Sequence, residues 1–257
     1  MRPLDSREVP LKKLLSLFTF RLPAALKDTR RLDERTRYDR MSGMIPDFVL
    51  SDSNPLVWQN RLRHPYFRTK MGEIRGRSVL EAGCGWGFLA RNFADDGARV
   101  TALDPSPVTL DLARRHHRTA TVPIRFVQGV AEHLPFPEAS FDLVTATDML
   151  EHVADLDACL AEFARVLKPG GRFGFVTVNR TWIARLIYIT MGENVLGMLP
   201  RGTHRYDKFI PPDDLSARLR RLGLVTEEIR GILVNPLLLR YHFWLSKSIE
   251  YIGVAKK

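Results

Sequence analysis

One stretch limits the architecture more than any other: Val79-Leu80-Glu81-Ala82-Gly83-Cys84-Gly85-Trp86-Gly87, followed over residues 98–103 by a second apolar run that ends in Asp104. It predicts a buried strand ending in an acid, a loop with Gly at every second position and a helix opening at Phe88. A second strand then closes on an aspartate seventeen residues past Gly87. Alternation continues downstream. Ser106 is a plausible N-cap with Pro107 at the first helical position. Strands are expected over residues 124–128, 141–147 and 172–178, and the helix bearing Leu156, Leu160, Phe163 and Leu167 is stopped by Pro169-Gly170-Gly171. Alternation of this kind means an α/β chain, a parallel sheet covered by helices on both faces. An insert over about residues 181–206, a helix with Leu215, Leu219 and Leu222, and two final strands over residues 224–231 and 248–255 complete it.

Small residues at 83, 85 and 87 let a ligand approach the backbone, and free amides at the start of the next helix face it. Glu81 and Asp104 add negative charge, which suits a ligand carrying an amine and a ribose diol. Asp104 can accept both ribose hydroxyls, a charge-assisted contact of roughly 1.5–3 kcal/mol. A pyrophosphate fits less well. The dinucleotide fingerprint needs Gly at position 88, which is Phe, and the Gly-Lys-Ser/Thr of a P-loop is absent. A glycine-rich turn alone is also a plain structural corner, and Asp104 at this distance favours the ligand.

The exit of the fourth strand reads Thr147-Asp148-Met149-Leu150-Glu151-His152. On a helical turn, 148, 151 and 152 share a face. That face could hold a hard divalent cation such as Mg2+ or set a base on a phenol. The simpler alternative is that Glu151 and His152 cap local backbone.

Three segments together resemble the class I S-adenosylmethionine-dependent methyltransferases over about residues 75–180. They are Glu81-x-Gly83-x-Gly85-x-Gly87, Gln128-Gly129-Val130-Ala131-Glu132-His133-Leu134-Pro135-Phe136 and Leu167-Lys168-Pro169-Gly170-Gly171. The resemblance implies a doubly wound, Rossmann-like, seven-stranded and mostly parallel sheet whose last strand is antiparallel. It implies S-adenosylmethionine as cofactor, with adenine received by the second segment. Val130 stands where many relatives have Asp, leaving adenine to backbone groups near Ala131 and to Gln128.

A narrower resemblance is carried by Asp148 to His152, Thr177-Val178-Asn179-Arg180, Leu199-Pro200-Arg201-Gly202-Thr203-His204 and Lys208-Phe209-Ile210. These are similar to the ubiquinone-biosynthesis O-methyltransferases, which methylate polyprenylated catechols. The resemblance implies donor contacts at Glu81, Gly83, Cys84, Gly85, Asp104, Pro105, Gln128, Val130, Ala131, Glu132 and Thr147. It also implies a donor-binding arginine before the first strand in an Asn-Pro-x-Arg context, for which Pro65-Tyr66-Phe67-Arg68 is the nearest candidate. Catalytic roles fall to His152, Glu151 and Asp148, the positions that hold a divalent metal in eukaryotic members. Here Asp148 replaces a Glu, and Arg201 replaces the Lys of a Pro-Lys-Gly-Thr-His element. The expected reaction is O-methylation of a phenol or catechol on a small, lipophilic acceptor. Methyl transfer to oxygen, carbon or nitrogen of another metabolite, lipid or sugar is the alternative. A donor-binding module without catalysis is opposed by Asp104 and Glu151-His152.

The N-terminal 70 residues are expected to form a helical cap and residues 71–257 the main domain. Net charge is +10, from 39 basic against 29 acidic residues. This fits either an ordinary solvated surface or an anionic partner such as membrane phosphate. Nucleic acid is disfavoured, because the basic residues are dispersed without an aromatic stacking platform. No feature assigns an oligomeric state. Cys84 and Cys159 lack metal-type spacing, so a reducing compartment without a disulfide is expected. No apolar run reaches the ~20 residues of a membrane span, and no secretory signal opens the chain. A cytoplasmic protein is expected, free or resting on the inner face of the membrane. Two segments bear on that choice. Leu11, Leu14, Leu15, Phe18 and Leu22 form an amphipathic helical pattern. Trp182 to Met191 form an apolar run broken by Arg185. Each can pack on the domain or lie in a membrane interface.

Overall fold

The computed structural model describes residues 22–49, 55–120, 122–235 and 240–257. The predicted amphipathic segment 11–22 lies outside these residues except for Leu22. Strands β1 (Ser78–Ala82), β2 (Arg99–Asp104), β3 (Arg125–Gln128), β4 (Phe141–Thr147) and β5 (Leu167–Val178) pair in parallel in the order β3-β2-β1-β4-β5. The sheet continues antiparallel through β8 (Glu250–Lys256), β6 (Val225–Asn235) and β7 (Arg240–Trp244).

The doubly wound architecture is as expected, but among the described residues the sheet has eight strands instead of seven. β6 runs past its predicted end at 231, and β7 returns beside it at the sheet edge. Residues 232–239 read Ile-Leu-Val-Asn-Pro-Leu-Leu-Leu, a run without the alternation that would place a strand end.

Helix α1 (Glu34–Met44) and the short α2 (Pro46–Val49) precede α3 (Pro55–Met71). Then come α4 (Phe88–Asp95), α5 (Pro107–His116), α6 (Leu156–Val166), α7 (Trp182–Arg185) and α8 (Pro212–Arg221). Side chains of a strand alternate between faces, and here both faces are dry. Val79, Val100, Val176 and Ile252 pack with Phe67 of α3, Phe93 of α4 and Leu110 of α5. Leu80, Leu103, Val144 and Phe173 pack with Phe163 of α6 and Leu215 of α8 on the other side. α3 lies close against β5 because position 174 is Gly; a Cβ there would collide with Met71 and Phe67. As read from the sequence, the Ser106 hydroxyl accepts the Thr109 N–H at 3.0 Å, with Pro107 at the first turn.

β1 and β4 are neighbours whose chains leave in opposite directions across the sheet. Such a switch point opens a crevice at the carboxyl ends of the strands. Two segments roof that crevice. One is the strap of residues 22–33 leading into α1. The other is the insert after β5, where α7 runs into a π-helical stretch, Leu186–Val195. They are joined by backbone. The Thr29 N–H donates to the Arg201 carbonyl at 2.9 Å, and the Arg201 N–H donates to the Lys27 carbonyl at 3.0 Å. One side of the insert packs, with Ala184, Tyr188 and Ile189 against Val178 and Phe209. The other side is bare: Trp182 is 71% exposed, and Leu186, Ile187, Met191, Val195 and Leu196 are exposed beside it.

Candidate active site

A cavity of about 990 Å³ occupies the crevice. At one end it is built by the β1 loop and the tip of β2. Gly83 and Gly85 have φ of +64° and +50°, a region that side chains disfavour. A Cβ on Gly83 would stand 2.7 Å from the Met149 Cβ, whereas one on Gly85 would meet only open cavity. Asp104 is held from both sides. Its Oδ2 accepts the Gly85 N–H and its Oδ1 the Ser106 N–H, each at 2.9 Å. Burial nevertheless raises its pKa to about 6. Glu81 is 2% exposed. Burial pushes its pKa to about 8, against the Ala90 N–H that bonds it. Its Oε2 has no partner. A buried acid with a free oxygen, beside a second acid and an open glycine cradle, fits a cationic nucleoside such as S-adenosylmethionine.

Cys84, Pro105, Val130, Ala131, Glu132 and Thr147 line the same cavity. Two expected contacts do not. Gln128 is exposed at the end of β3 and donates to the Pro105 carbonyl at 3.4 Å. Arg68 is on the outer face of α3, 3.3 Å from Asp96. Arg63, on the same helix, does line the cavity. The two are five residues apart, which is about 140° around a helix.

The other end is assembled from segments far apart in the chain. Residues 148–152 form a turn, not the expected helical face. Asp148 has φ +52°, incompatible with a helix. Its carboxylate pairs with both terminal nitrogens of the Arg63 guanidinium at 2.7 Å. Arg63 also donates to Glu250 at 2.9 Å, and the Tyr188 hydroxyl donates to the other Glu250 oxygen at 2.8 Å. Glu151 is buried and accepts the Thr177 hydroxyl at 2.7 Å. His152 turns elsewhere, its Nδ1 3.1 Å from Glu34 Oε1.

The expected metal triad therefore does not form. Asp148 is taken by a guanidinium, Glu151 by a hydroxyl and His152 by a third carboxylate. No group of three potential ligands converges among the described residues. A dication beside Arg63 would face a positive charge already clasped to its carboxylate.

Residues 80–175 match a family described as a methyltransferase domain. The ubiquinone biosynthesis O-methyltransferase of Xanthomonas euvesicatoria is 38% identical over 204 residues, covering 79% of this chain and 85% of that protein. The protein of the same name from Paracidovorax citrulli is 40% identical over 212 residues, covering 80% and 87%. The chain belongs to this O-methyltransferase family.

Solved structures agree on the fold of the methyltransferase. The magnesium protoporphyrin IX methyltransferase of Synechocystis, with bound SAH, has a TM-score of 0.65 at 16% identity, over 87% of this chain and 97% of that one. A methyltransferase of Thermotoga maritima has a TM-score of 0.60 at 21% identity, over 86% and 97%.

Among the cavity residues of this methyltransferase that sequence reasoning missed are Arg63, Glu34 and Glu193. Arg63 had a usable signal, since Asn60-Arg61-Leu62-Arg63 keeps the Asn three residues before Arg that Pro65 to Arg68 lacks. Glu34 had none. It opens α1 behind the N-cap Asp33, like any first-turn acid, and only the tertiary fold carries it to His152. Glu193, in the π-helical stretch, had none either. His152 is charged more readily than an ordinary imidazole. Burial opposes that charge, but pairing with Glu34 and the nearby Glu151 raise its pKa overall. Burial likewise opposes the charge on Glu34, and pairing with His152 and Arg37 holds its pKa low.

Proposed function

We propose that this methyltransferase places a methyl group on a phenolic or catechol hydroxyl of a small lipophilic acceptor, of the prenylated quinone-precursor kind. The observation that carries the reading is the Glu34–His152 pair in the same cavity as Asp104 and the glycine cradle. S-adenosylmethionine, when bound, supplies an activated methyl whose bond to sulfur breaks as the bond to the acceptor oxygen forms, the electron pair staying with sulfur. Asp104 would hold its ribose and Glu81 its amine, while Val130, Ala131 and Glu132 flank its base.

The protein must align the acceptor, exclude water and remove a proton. Glu34 fixes the Nδ1 side of His152, which leaves Nε2 to take the phenolic proton, and the negative partner strengthens it as a base. Glu151 and Thr177 brace the turn beneath. The names of the relatives, ubiquinone biosynthesis O-methyltransferases, support a prenylated acceptor. So does the bare apolar side of the insert, from Trp182 to Leu196 beside the cavity roof. We place that ridge on an anionic membrane surface, where a lipid-tailed acceptor resides and a +10 chain is attracted. No helix among the described residues is long and apolar enough to cross a membrane.

The test is isotopic methyl transfer to a prenylated catechol with product mass spectrometry and NMR. His152→Ala should lower kcat about 10²- to 10⁴-fold while donor affinity survives. Label on carbon or nitrogen, or full activity in the variant, overturns the reading. Co-sedimentation should favour anionic over neutral liposomes and weaken with salt. Equal binding to both would overturn the membrane placement.

A further inference from the structure

The insert carries a second imidazole that the reaction as described does not use. Glu193 is buried in the π-helical stretch. Its Oε2 accepts the Gly202 N–H at 2.7 Å, and its Oε1 accepts the His204 N–H at 2.8 Å. The same Oε1 is 3.0 Å from Nδ1 of His204. His204 lines the cavity, with its ring centroid 5.4 Å from that of His152. The rings of Tyr188 and Phe209, at 5.1 and 5.9 Å, wall its other sides.

Two imidazoles thus stand side by side at the acceptor end, each with Nδ1 turned to a glutamate from a different segment. Holding the loop needs only the two backbone N–H groups that Glu193 accepts. It does not need an imidazole at 204. The carboxylate orients the ring, so that Nε2 becomes the face offered to the cavity. Two adjacent acceptor nitrogens suit two adjacent oxygens on a ring.

We infer that His204, oriented by Glu193, is a specificity-determining residue that binds the hydroxyl next to the one being methylated and so decides which oxygen reacts. The inference rests on the phenol O-methylation reading above. It adds no bond to the chemistry. The reacting oxygen loses its proton to His152, and the neighbouring hydroxyl keeps its own while donating it to His204. A buried acceptor on the protein left without its partner also disfavours an acceptor molecule that lacks the second hydroxyl.

The experiment compares an unsymmetrical catechol with the matching monophenol, in the wild type and in His204→Ala and His204→Gln, with donor affinity measured alongside. The wild type should prefer the catechol in kcat/KM and yield one regioisomer. His204→Ala should lose about 10- to 100-fold on the catechol, move the isomer ratio toward one to one, and stay within about twofold on the monophenol. His204→Gln, whose amide oxygen can accept the same hydrogen bond, should recover part of both the rate and the ratio. Should His204→Ala fail to fold, the isomer ratio of His204→Gln and of Glu193→Gln carries the test, and both should be shifted. An equal loss on both acceptors with an unchanged ratio, or weakened donor binding, means a purely structural role and overturns the inference. Methylation of neither phenol by the wild type overturns the O-methylation reading itself, a result distinct from the others.

Discussion

The two ends of the cavity are built in opposite ways. The donor end comes from one continuous stretch, β1 through the glycine loop into α4, plus the tip of the adjacent β2. Its key contact, Asp104 to the Gly85 N–H, joins two neighbouring parallel strands. The acceptor end draws Glu34 from α1, Arg63 from α3, His152 from the turn after β4 and His204 from the insert. Its contacts span long stretches of chain, such as Arg63 to Glu250. Local geometry makes the first end, so a generic fold can carry it unchanged. Tertiary assembly makes the second, and there a family can vary what it accepts.

The largest expected effect tests whether the acceptor end depends on long-range charge pairing. Arg63→Met leaves Asp148 and Glu250 facing each other without their shared cation. Glu250 is 1% exposed and Arg63 2%. Removing one partner of such a buried pair costs about 3–5 kcal/mol. Arg68→Ala, on the same helix but 56% exposed in its side chain, should change stability by less than about 0.5 kcal/mol. Urea denaturation of the two variants distinguishes them. Equal stability would mean that the Arg63 network is dispensable.

The same contrast explains what was legible in the sequence. Strands β1, β2 and β4, the Ser106 cap and Asp104 all announce themselves within a few residues, through period, glycine and capping chemistry. Arg68, which lies outside the cavity, was chosen because a motif four residues long does not say which side of a helix faces the sheet. The helical face assigned to 148, 151 and 152 failed because the chain between β4 and α6 has only eight residues, 148–155, and Asp148 turns it into the left-handed region. Asp155 is already the N-cap of α6, accepting the Ala158 N–H at 3.0 Å. Glu34 and Glu193 were invisible because an acid's partner across the fold leaves no local pattern.

A crossed pair of variants sharpens the comparison at the next level of effect. Asp104→Ala should weaken donor binding about 10- to 150-fold, the value of a charge-assisted hydrogen bond. It should leave the pH dependence of turnover in place. Glu34→Gln should do the reverse. Donor affinity holds, while kcat falls about tenfold or more. The acidic limb of the pH–rate profile should move as well. His152 must be neutral to act as a base, and Glu34 raises its pKa, so removing that charge shifts the limb to lower pH. Calorimetry and pH–rate profiles on both variants report each quantity. An acidic limb that stays put in Glu34→Gln would mean that His152 is not the titrating base.

The smallest effect concerns the donor end alone. Glu81 is pushed up to about 8 and Asp104 to about 6, in each case chiefly by burial. Both carboxyls therefore have folded pKa values above their unfolded ones. For such groups the stabilising contribution is present below the unfolded pKa and is lost as pH rises through the folded one. The free protein should lose thermal stability between about pH 4.5 and 8 at this site. A donor with a positive amine reverses the balance, because it favours the ionised form of Glu81 and draws its proton off. Donor affinity should then climb from pH 6 to 8, by less than about tenfold per unit, which is the limit for one linked proton. Titration calorimetry at pH 7 in two buffers of different ionisation enthalpy should register release of a fraction of a proton. Glu81→Gln should abolish that release, whereas Glu34→Gln should not touch it, since Glu34 belongs to the other end. Release that persists in Glu81→Gln would show that the proton comes from elsewhere, and that burial of this acid is a feature of the fold with no part in holding the donor.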